Sequence, residues 1–430
     1  MTHQRFSRRP TSPMVWLAAL AIVGLVAISG VQMHRAGLWF QPTDETRLES
    51  FDRLCGIMER HYPYFEAKGI DWDVLRSSYR PRVAAATDDD AFFVLLAEML
   101  DKLDDGHTGV VSPYPSVACY GTTLEIEGRA VVTSLGPSAT AAGLSVGDVV
   151  ENVAGQPVNE VIAGLDPRLR TGSTDRARRR SAFEHLLCGP NTGVLQVGVV
   201  DDDGDVRALD IRRLDPTTAL PDPEPAVVAR RLAEGPGLIM LRRLYAEEGR
   251  DLVADFDAAL DGLADPPGLI LDLRGNGGGD SILGDAIAGR FVAEAFRYGQ
   301  ERYQERLPFR LWSLSFDYIV TPRGARYAGR IVVIIDTTVA SSAEQFVAAL
   351  VDGAGAVTVG RSTAGSSGNP IRLELRGGLI RLSTGDFRRN DGTPIEGVGF
   401  SPDIAVAWSI DDVRAGRDPD LEAAVLALTR

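Results

Sequence analysis

Lysine is nearly absent from this chain of 430 residues. Of its 45 basic residues only Lys68 and Lys102 are lysines, and all the others are arginines. Residues 103–430 therefore contain no lysine for a Walker-type phosphate site, a Schiff base or a Ser–Lys dyad. Catalysis that needs a lysine is excluded from that part of the chain.

Cysteine is also scarce, and the chain carries no net positive charge. The three cysteines, Cys55, Cys119 and Cys188, lack C-x-x-C spacing, which excludes a zinc site of that type and a disulfide-rich scaffold. The net charge is −14, so nucleic acid is not expected as a partner. A hydrophobic share of 44% is typical of a globular protein, and the length predicts about two to four domains.

One long uncharged run, residues 14–33, lies near the N-terminus behind several arginines. At about 1.5 Å per residue it would span about 30 Å, the thickness of a bilayer core. We predict that residues 1–40 form a cytoplasmic tail and a membrane anchor. The alternative is a secretory signal peptide cleaved near residues 27–29. In both cases the chain after Arg35 is expected to be exported.

The rest of the chain divides into three parts by its hydrophobic pattern. Residues 41–117 are predicted to be helical, because their apolar residues recur at helical spacing, and Gly106 is expected to end the last helix in a left-handed conformation. Residues 118–215 read as a compact α/β module of short strands. Residues 216–430 begin with a proline-rich linker, and their apolar strands then alternate with helices, which predicts parallel βαβ units and an α/β fold.

Ser341 lies between a predicted apolar strand and a predicted helix. Ser341-x-x-Glu344 fits a capping box, which requires no catalytic role. Alternatively, the turn presents the Ser341 hydroxyl as a nucleophile, and the Ser342 amide at the helix N-terminus faces a developing oxyanion. A serine hydroxyl is a weak nucleophile, so the second interpretation requires a base.

A glycine-rich turn at residues 275–279 follows another predicted strand. A dinucleotide-binding turn needs glycine or alanine at its sixth position, where Asp280 stands, so that interpretation is disfavoured. Two interpretations remain. The segment is either a flexible turn or part of an oxyanion hole, with Gly278 as the preferred amide donor.

The base has to be one of five histidines. His3 and His34 flank the membrane segment, and His61 and His185 are interpreted as surface or core residues. His107 lies in the irregular segment DDGHTGV and is the candidate, although a helix C-terminus also stabilises a histidine cation without catalysis.

A third group should orient the imidazole ring of the base. Glu396, in a loop rich in glycine and proline near the end of the chain, is one candidate. Spacing does not eliminate its competitors, which are Asp104, Asp105, Asp272 and Glu344.

Together these segments resemble the tail-specific (C-terminal processing) protease family, and within it the tricorn-like branch that uses a histidine. The resemblance is carried by segments in family order: GIDWDVL with LDDGHTG, GTTLEI with AGLSVGDVVENVAGQPV, LILDLRGNGGG, ASSAEQF and EGVGFSPD. It implies a crotonase-like catalytic α/β core in residues 216–430 and an inserted PDZ-like domain in residues 118–215.

The resemblance also implies residue roles: Ser341 as nucleophile, His107 as base, Glu396 as the third member, and the amides of Gly278 and Ser342 as the oxyanion hole. In the family's Ser–Lys branch, a lysine stands at the position of Ser366. Tricorn protease has a serine immediately before the catalytic histidine, where this chain has Gly106.

The implied function is an exported serine peptidase that cleaves proteins or peptides through an acyl-enzyme, without a metal or cofactor. The alternative is a catalytically silent peptide- or ligand-binding scaffold of the same fold. The intact Ser/His/Glu set favours the enzyme. A non-proteolytic crotonase-like acyl-transfer enzyme is disfavoured, since little in the chain would bind coenzyme A.

The PDZ-like domain is expected to bind substrate tails, with backbone amides around Gly121, Thr122 and Thr123 capturing the terminal carboxylate. Residues 176 and 178–180 add a basic patch for the carboxylate, or else a solvated helix face. The alternative is a module that packs against the core and gates access. A further hypothesis is that Cys119 and Cys188 form a disulfide, since an exported domain permits one.

Overall fold

The computed structural model describes residues 45–113, 117–190, 193–212, 225–233, 235–307 and 310–429. The predicted membrane segment and residues 216–224 of the predicted linker lie outside these ranges. Within the described ranges, no helix combines the length and the apolar character that a membrane span needs.

The first described part is helical, as the apolar spacing predicts. It consists of α1 (Arg47–His61), α2 (Trp72–Ala84) and α3 (Asp89–Asp101), followed by β1 (Gly109–Ser112). Thr46, Asp71 and Asp88 cap the three helices by accepting hydrogen bonds from backbone amides. The prediction for Gly106 is wrong, because the left-handed conformation after α3 belongs to Asp104, with φ of 45°.

Residues 117–212 form a module with its own apolar core. Its elements are β2 (Val117–Cys119), β3 (Gly121–Ile126), β4 (Arg129–Leu135), α4 (Pro137–Ala141), β5 (Val149–Val153), β6 (Gln156–Pro157), α5 (Val158–Gly164), α6 (Asp175–Glu184), β7 (Cys188–Pro190), β8 (Val194–Val200) and β9 (Val206–Arg212). The main antiparallel sheet has the order β3-β4-β5-β8-β9, so β3 is an edge strand. Cys119 in β2 and Cys188 in β7 form a disulfide, which confirms that hypothesis.

The remaining residues build a second, larger α/β unit. Its elements are β10 (Val227–Arg231), β11 (Gly237–Leu241), α7 (Leu252–Gly262), β12 (Gly268–Asp272), α8 (Ser281–Ala288), β13 (Phe296–Leu307), β14 (Arg310–Val320), β15 (Arg330–Ile335), α9 (Ser342–Ala354), β16 (Val357–Gly360), β17 (Ile371–Leu375), β18 (Gly378–Leu382), β19 (Gly385–Arg389), β20 (Ile404–Ala405), α10 (Ile410–Arg414) and α11 (Pro419–Thr429).

A central sheet of the order β10-β11-β12-β15-β16-β20 organises this unit. From β11 to β20 its neighbouring strands are parallel, which confirms the predicted βαβ units, whereas β10 is antiparallel to β11. Helices cover both faces: α7, α8 and α9 contribute to one apolar cluster and α11 to the other. The strands are therefore buried on both sides, as their continuous apolar sequences require.

Two smaller sheets connect distant parts of the chain. The long hairpin of β13 and β14 pairs with β19. Strand β18 pairs with both β17 and β1, and the resulting sheet packs against α1, α2 and α3. Because β18 lies beside β1, the segment around His107 is brought next to residues that follow β16.

Candidate active site

Ser341 occupies the turn between β15 and α9 in a conformation that L-residues rarely adopt, with φ of 59° and ψ of −131°. Such a conformation costs a non-glycine residue about 1–3 kcal/mol, so the surroundings must hold it. The Ser341 amide donates to the Ser366 carbonyl at 2.8 Å and to Glu344 Oε2 at 3.2 Å. The Glu344 amide in turn donates to the Ser341 carbonyl at 2.9 Å. The backbone of Ser341 is fixed at the start of the helix.

Glu344 ties this helix to the loop that follows β16. Its fully buried carboxylate accepts hydrogen bonds from the Gly365 and Ser366 amides, both at 2.9 Å, and from the Thr363 hydroxyl. Burial raises the pKa of Glu344 to about 7. Glu344 therefore holds Ser366 beside Ser341. Within the described residues, the Glu344 carboxylate makes no hydrogen bond to His107.

His107 is buried, and its ring contacts the same loop. Nδ1 lies 2.8 Å from Ser366 Oγ. Its backbone amide donates to Asp105 Oδ1 at 2.8 Å, and its carbonyl accepts from Arg381 at 3.1 Å. Burial and the positive charge of Arg381 lower the pKa of His107, while Asp105 opposes them. The neutral ring, the form a general base requires, is thereby favoured.

Glu396 is buried and pairs with a lysine that sequence reasoning did not connect with the site. Lys68 Nζ lies 2.6 Å from Glu396 Oε1, and it also donates to the Asp104 carbonyl. Glu396 Oε2 accepts from the Ser367 amide at 2.8 Å. Burial and Asp105 raise the pKa of Glu396, whereas Lys68 lowers it. Lysine is rare in the chain, but this rarity alone does not connect Lys68 with Glu396.

The structure thus gathers Ser341, His107 and Glu396 around residues 366 and 367. Ser366 contacts the first two, and Ser367 contacts Glu396. Within the described ranges, no hydrogen bond joins the His107 ring to Ser341 or to Glu396. One competitor lies elsewhere, since Asp272 pairs with Arg274.

Gly278 packs directly against Ser341. A Cβ atom placed on Gly278 would lie 2.9 Å from Ser341 Cβ and 2.8 Å from the Ala340 carbonyl oxygen, and its φ is 95°. Its amide donates to Asn276 Oδ1 at 2.9 Å. The Ser342 amide has no hydrogen-bond acceptor in the described part of the chain. Of the two predicted oxyanion donors, the Ser342 amide therefore makes no hydrogen bond within the described residues, whereas the Gly278 amide is bonded to Asn276.

The predicted tail-binding residues Gly121, Thr122 and Thr123 begin β3. The buried Thr123 hydroxyl donates to the Phe183 carbonyl in α6 at 2.6 Å, and Thr122 Oγ1 lies 2.6 Å from Ser134 Oγ. These hydroxyls are used inside the module. The part of β3 that pairs with no other described strand is the backbone edge on the side away from β4.

The arginines of the predicted basic patch bond to other parts of the protein. Arg176 Nε donates to the Thr363 carbonyl at 2.7 Å, and Arg178 pairs with Asp101 at 2.8 Å. Arg179 pairs with Glu125, and Arg180 with Glu184. The contacts of Arg176 and Arg178 connect α6 to the loop that carries Ser366 and to the helical part.

Two segments of the chain match known protein families. Residues 238–406 match peptidase family S41, and residues 43–101 match the tricorn protease C1 domain. These two matches, to the larger α/β unit and to the helical part, support a tail-specific protease family. The chain is therefore a serine peptidase, and its substrates are proteins or peptides.

Several solved structures share the fold of this peptidase. Mature CPAF is 16% identical, with a TM-score of 0.72 over 89% of this chain and 96% of that chain. A candidate peptidase from Parabacteroides merdae ATCC 43184 is 21% identical, with a TM-score of 0.58 over 90% and 98%. The photosystem II D1 C-terminal processing protease is 19% identical, with a TM-score of 0.50 over 90% and 98%. A search of curated protein sequences found no match.

The contact between Gly278 and Ser341 gives a test of the site in this peptidase. Gly278→Ala should lower kcat/KM by about 10²-fold or more, because the added methyl displaces the serine and a misplacement of about 1 Å has this effect. Gly277→Ala is the matched control, since a Cβ atom there has open space and needs no left-handed backbone. Equal activity of the two variants in a peptide-hydrolysis assay would contradict the placement.

Proposed function

We propose that this chain is an exported serine peptidase in which Ser341 is the nucleophile, His107 the general base and Glu396 the third member of the site. The observation that carries the proposal is the strained backbone of Ser341 between a buried parallel strand and a helix N-terminus. Strained residues cluster at active sites, and a strained serine at a strand-to-helix turn exposes its hydroxyl for attack.

The chemical steps follow from the groups around Ser341. His107 Nε2 takes the Ser341 proton as Oγ attacks the peptide carbonyl carbon. The oxyanion is received by the Ser342 amide and by the Gly278 amide once it turns from Asn276. The imidazolium protonates the leaving nitrogen. The ring, now neutral, takes a proton from water as the water oxygen attacks the acyl carbon, and it returns this proton to Ser341 Oγ when the acyl–oxygen bond breaks. These steps require no metal or cofactor.

Glu396 supports the base through the loop between them. Its carboxylate fixes the Ser367 amide, and the adjacent Ser366 contacts the His107 ring. The Lys68 charge favours the ionised carboxylate in this buried position. The third member thus acts on the imidazole through Ser366 and Ser367, without touching it.

The low pKa of His107 gives a pH test of its role as base. Protonation removes the base, so a lowered pKa extends activity to more acidic pH; we expect the acid limb of kcat/KM below the ordinary imidazole pKa of about 6.5. Arg381→Gln should move this limb to higher pH, because it removes a positive charge, whereas Arg381→Lys should not. A wild-type limb at the ordinary value, unaffected by either substitution, would refute the assignment.

We also propose that the larger α/β unit is a crotonase-like core and that residues 118–215 are a PDZ-like domain that binds substrate tails. The support for tail binding is that β3 is an edge strand, to which an extended peptide can add by backbone hydrogen bonds. Backbone amides near Gly121 at the start of β3 would capture the terminal carboxylate. The side chains of Thr122 and Thr123 do not take part, since they bond within the module.

Tail capture predicts that the free carboxylate matters for binding. One unstructured peptide is compared with a free and with an amidated C-terminus. Amidation should raise KM severalfold and change kcat less, because the carboxylate lies far from the scissile bond. Equal KM values would remove tail recognition from the proposal and leave the roles of Ser341 and His107 intact.

Export is supported by the Cys119–Cys188 disulfide, since such bonds persist in oxidising compartments. We propose that residues 14–33 anchor the peptidase in a membrane, with the exported part carrying the active site. Secretion after cleavage of a signal peptide is the alternative form of the same proposal.

A further inference from the structure

The His107 ring meets a hydroxyl at Nδ1, where many serine hydrolases have a carboxylate. This hydroxyl is Ser366 Oγ, at 2.8 Å, and both residues are buried. Ser173 Oγ in turn donates to Ser366 Oγ at 3.2 Å, and the Gly106 amide donates to Ser173 Oγ at 2.8 Å. A chain of three hydrogen bonds therefore runs from the backbone beside His107 back to its own ring.

We propose that Ser366 is a positioning residue that holds His107 in the tautomer and orientation required of the base, an inference that rests on the proposed function. The direction of the chain is compatible with this role. The Gly106 amide can only donate, so Ser173 accepts there and directs its own proton to Ser366. Ser366 Oγ keeps a second lone pair, and in the proposed tautomer this lone pair accepts Nδ1–H.

With the proton on Nδ1, the lone pair of the ring is on Nε2, the nitrogen that takes the proton of Ser341. When the imidazolium forms, Nδ1–H continues to donate to Ser366, and Ser366 keeps its own proton. Only the ring changes charge, and its proton leaves with the amine of the cleaved bond.

Ser366 is also tied to the nucleophile through its backbone. Its carbonyl accepts from the Ser341 amide at 2.8 Å, and its amide donates to Glu344 in the first turn of α9, the helix that follows Ser341. One residue therefore contacts the nucleophile with its main chain and the base with its side chain. This fixes the position of the ring relative to Ser341.

The space around Gly106 supports the same role. A Cβ atom on Gly106 would lie 2.6 Å from Ser366 Oγ, whereas its next contacts, in Gly172 and Ser173, lie at 3.4 Å or beyond. A side chain at position 106 and the hydroxyl of Ser366 thus compete for one volume. The φ of Gly106 is outside the left-handed region, so a serine is compatible with its backbone.

The test uses purified full-length protein and a peptide substrate. Ser366→Gly should lower kcat by about 10²-fold, the effect of a base displaced by about 1 Å, with KM little changed. Ser362→Gly is the matched control in the same loop, because the Ser362 side chain makes no hydrogen bond within the described ranges. The control should keep the wild-type kcat.

An exchange of hydroxyls separates positioning from a general loss of packing. Gly106→Ser alone should be impaired by collision with Ser366. The double variant Gly106→Ser/Ser366→Gly should recover kcat relative to either single variant, since a hydroxyl again occupies the volume next to Nδ1. Additive losses in the double variant would overturn the proposal.

Long-range ¹H–¹⁵N spectra of ¹⁵N-histidine protein, with the His107 signals assigned by their loss in His107→Gln, report the ring tautomer directly. Nδ1 should be protonated in the wild type, and this preference should weaken in Ser366→Gly. If hydrolysis by the protein does not require Ser341 and His107, the proposed function itself is wrong. If hydrolysis requires both residues while Ser366→Gly keeps full kcat, only the role of Ser366 is overturned.

Discussion

Ser341→Ala is expected to lower kcat by about 10⁵–10⁶-fold, since the acyl-enzyme cannot form without the serine hydroxyl. The fold should persist. The hydrogen bonds that hold residue 341 to Glu344 and Ser366 use its backbone, which alanine retains. Hydrolysis of a chromogenic or fluorogenic peptide, measured beside thermal unfolding of the same preparation, checks both parts.

Ser341→Gly provides a stability control for this prediction. The φ of 59° at position 341 strains alanine as it strains serine, whereas glycine adopts this angle without a Cβ penalty. The glycine variant should therefore be inactive and unfold at a higher Tm than the alanine variant. If Ser341 served only as a helix cap, alanine would cost about 1 kcal/mol and the folded protein would keep its activity.

Lys68→Met is expected to lower the free energy of unfolding by about 3–5 kcal/mol, because it leaves the buried Glu396 carboxylate without its counter-charge. The side-chain exposures of Lys68 and Glu396 are 16% and 3%. Replacing both, as Lys68→Met/Glu396→Gln, should recover most of the stability. Lys102→Met is the matched control, since Lys102 is exposed at the end of α3. Denaturant unfolding of the four proteins gives the comparison.

A second substitution distinguishes a supporting charge from a lysine base. Lys68→Arg keeps the positive charge but cannot lose a proton at ordinary pH. We expect it to retain far more activity than Lys68→Met, because Lys68 is bonded to Glu396 and to a carbonyl group. Full inactivation of a folded Lys68→Arg protein with an intact ion pair would favour Lys68 as the base instead of His107.

Much of the fold follows from local sequence. The continuous apolar runs of β11, β12, β15 and β16, separated by amphipathic helices, predict the parallel sheet. The long hairpin of β13 and β14 was not predicted. Its first strand, FRYGQERYQERL, has no continuous apolar run. Its extended conformation is stabilised by pairing with β14 and β19. Such pairing depends on tertiary structure, which a local pattern does not contain.

The candidate site shows the same division. The sequence pointed to Ser341, His107 and Glu396, but it did not reveal Lys68 or the contact of Ser366 with the base. Lys68 and Glu396 are 328 positions apart, and Ser366 is 259 positions from His107. Only the fold brings these residues together. The strain at Ser341 was hidden as well, because the same residues fit an ordinary capping box.

Labelling with a serine-reactive phosphonate, followed by peptide mapping, tests the role of Ser341 most directly. We expect a single adduct on Ser341 that appears as activity is lost. The adduct should be absent from Ser341→Ala and strongly reduced in His107→Ala, whose serine lacks its base. An adduct on another serine that accompanies the loss of activity, or full inactivation with Ser341 unmodified, would contradict the assignment of Ser341 as the nucleophile.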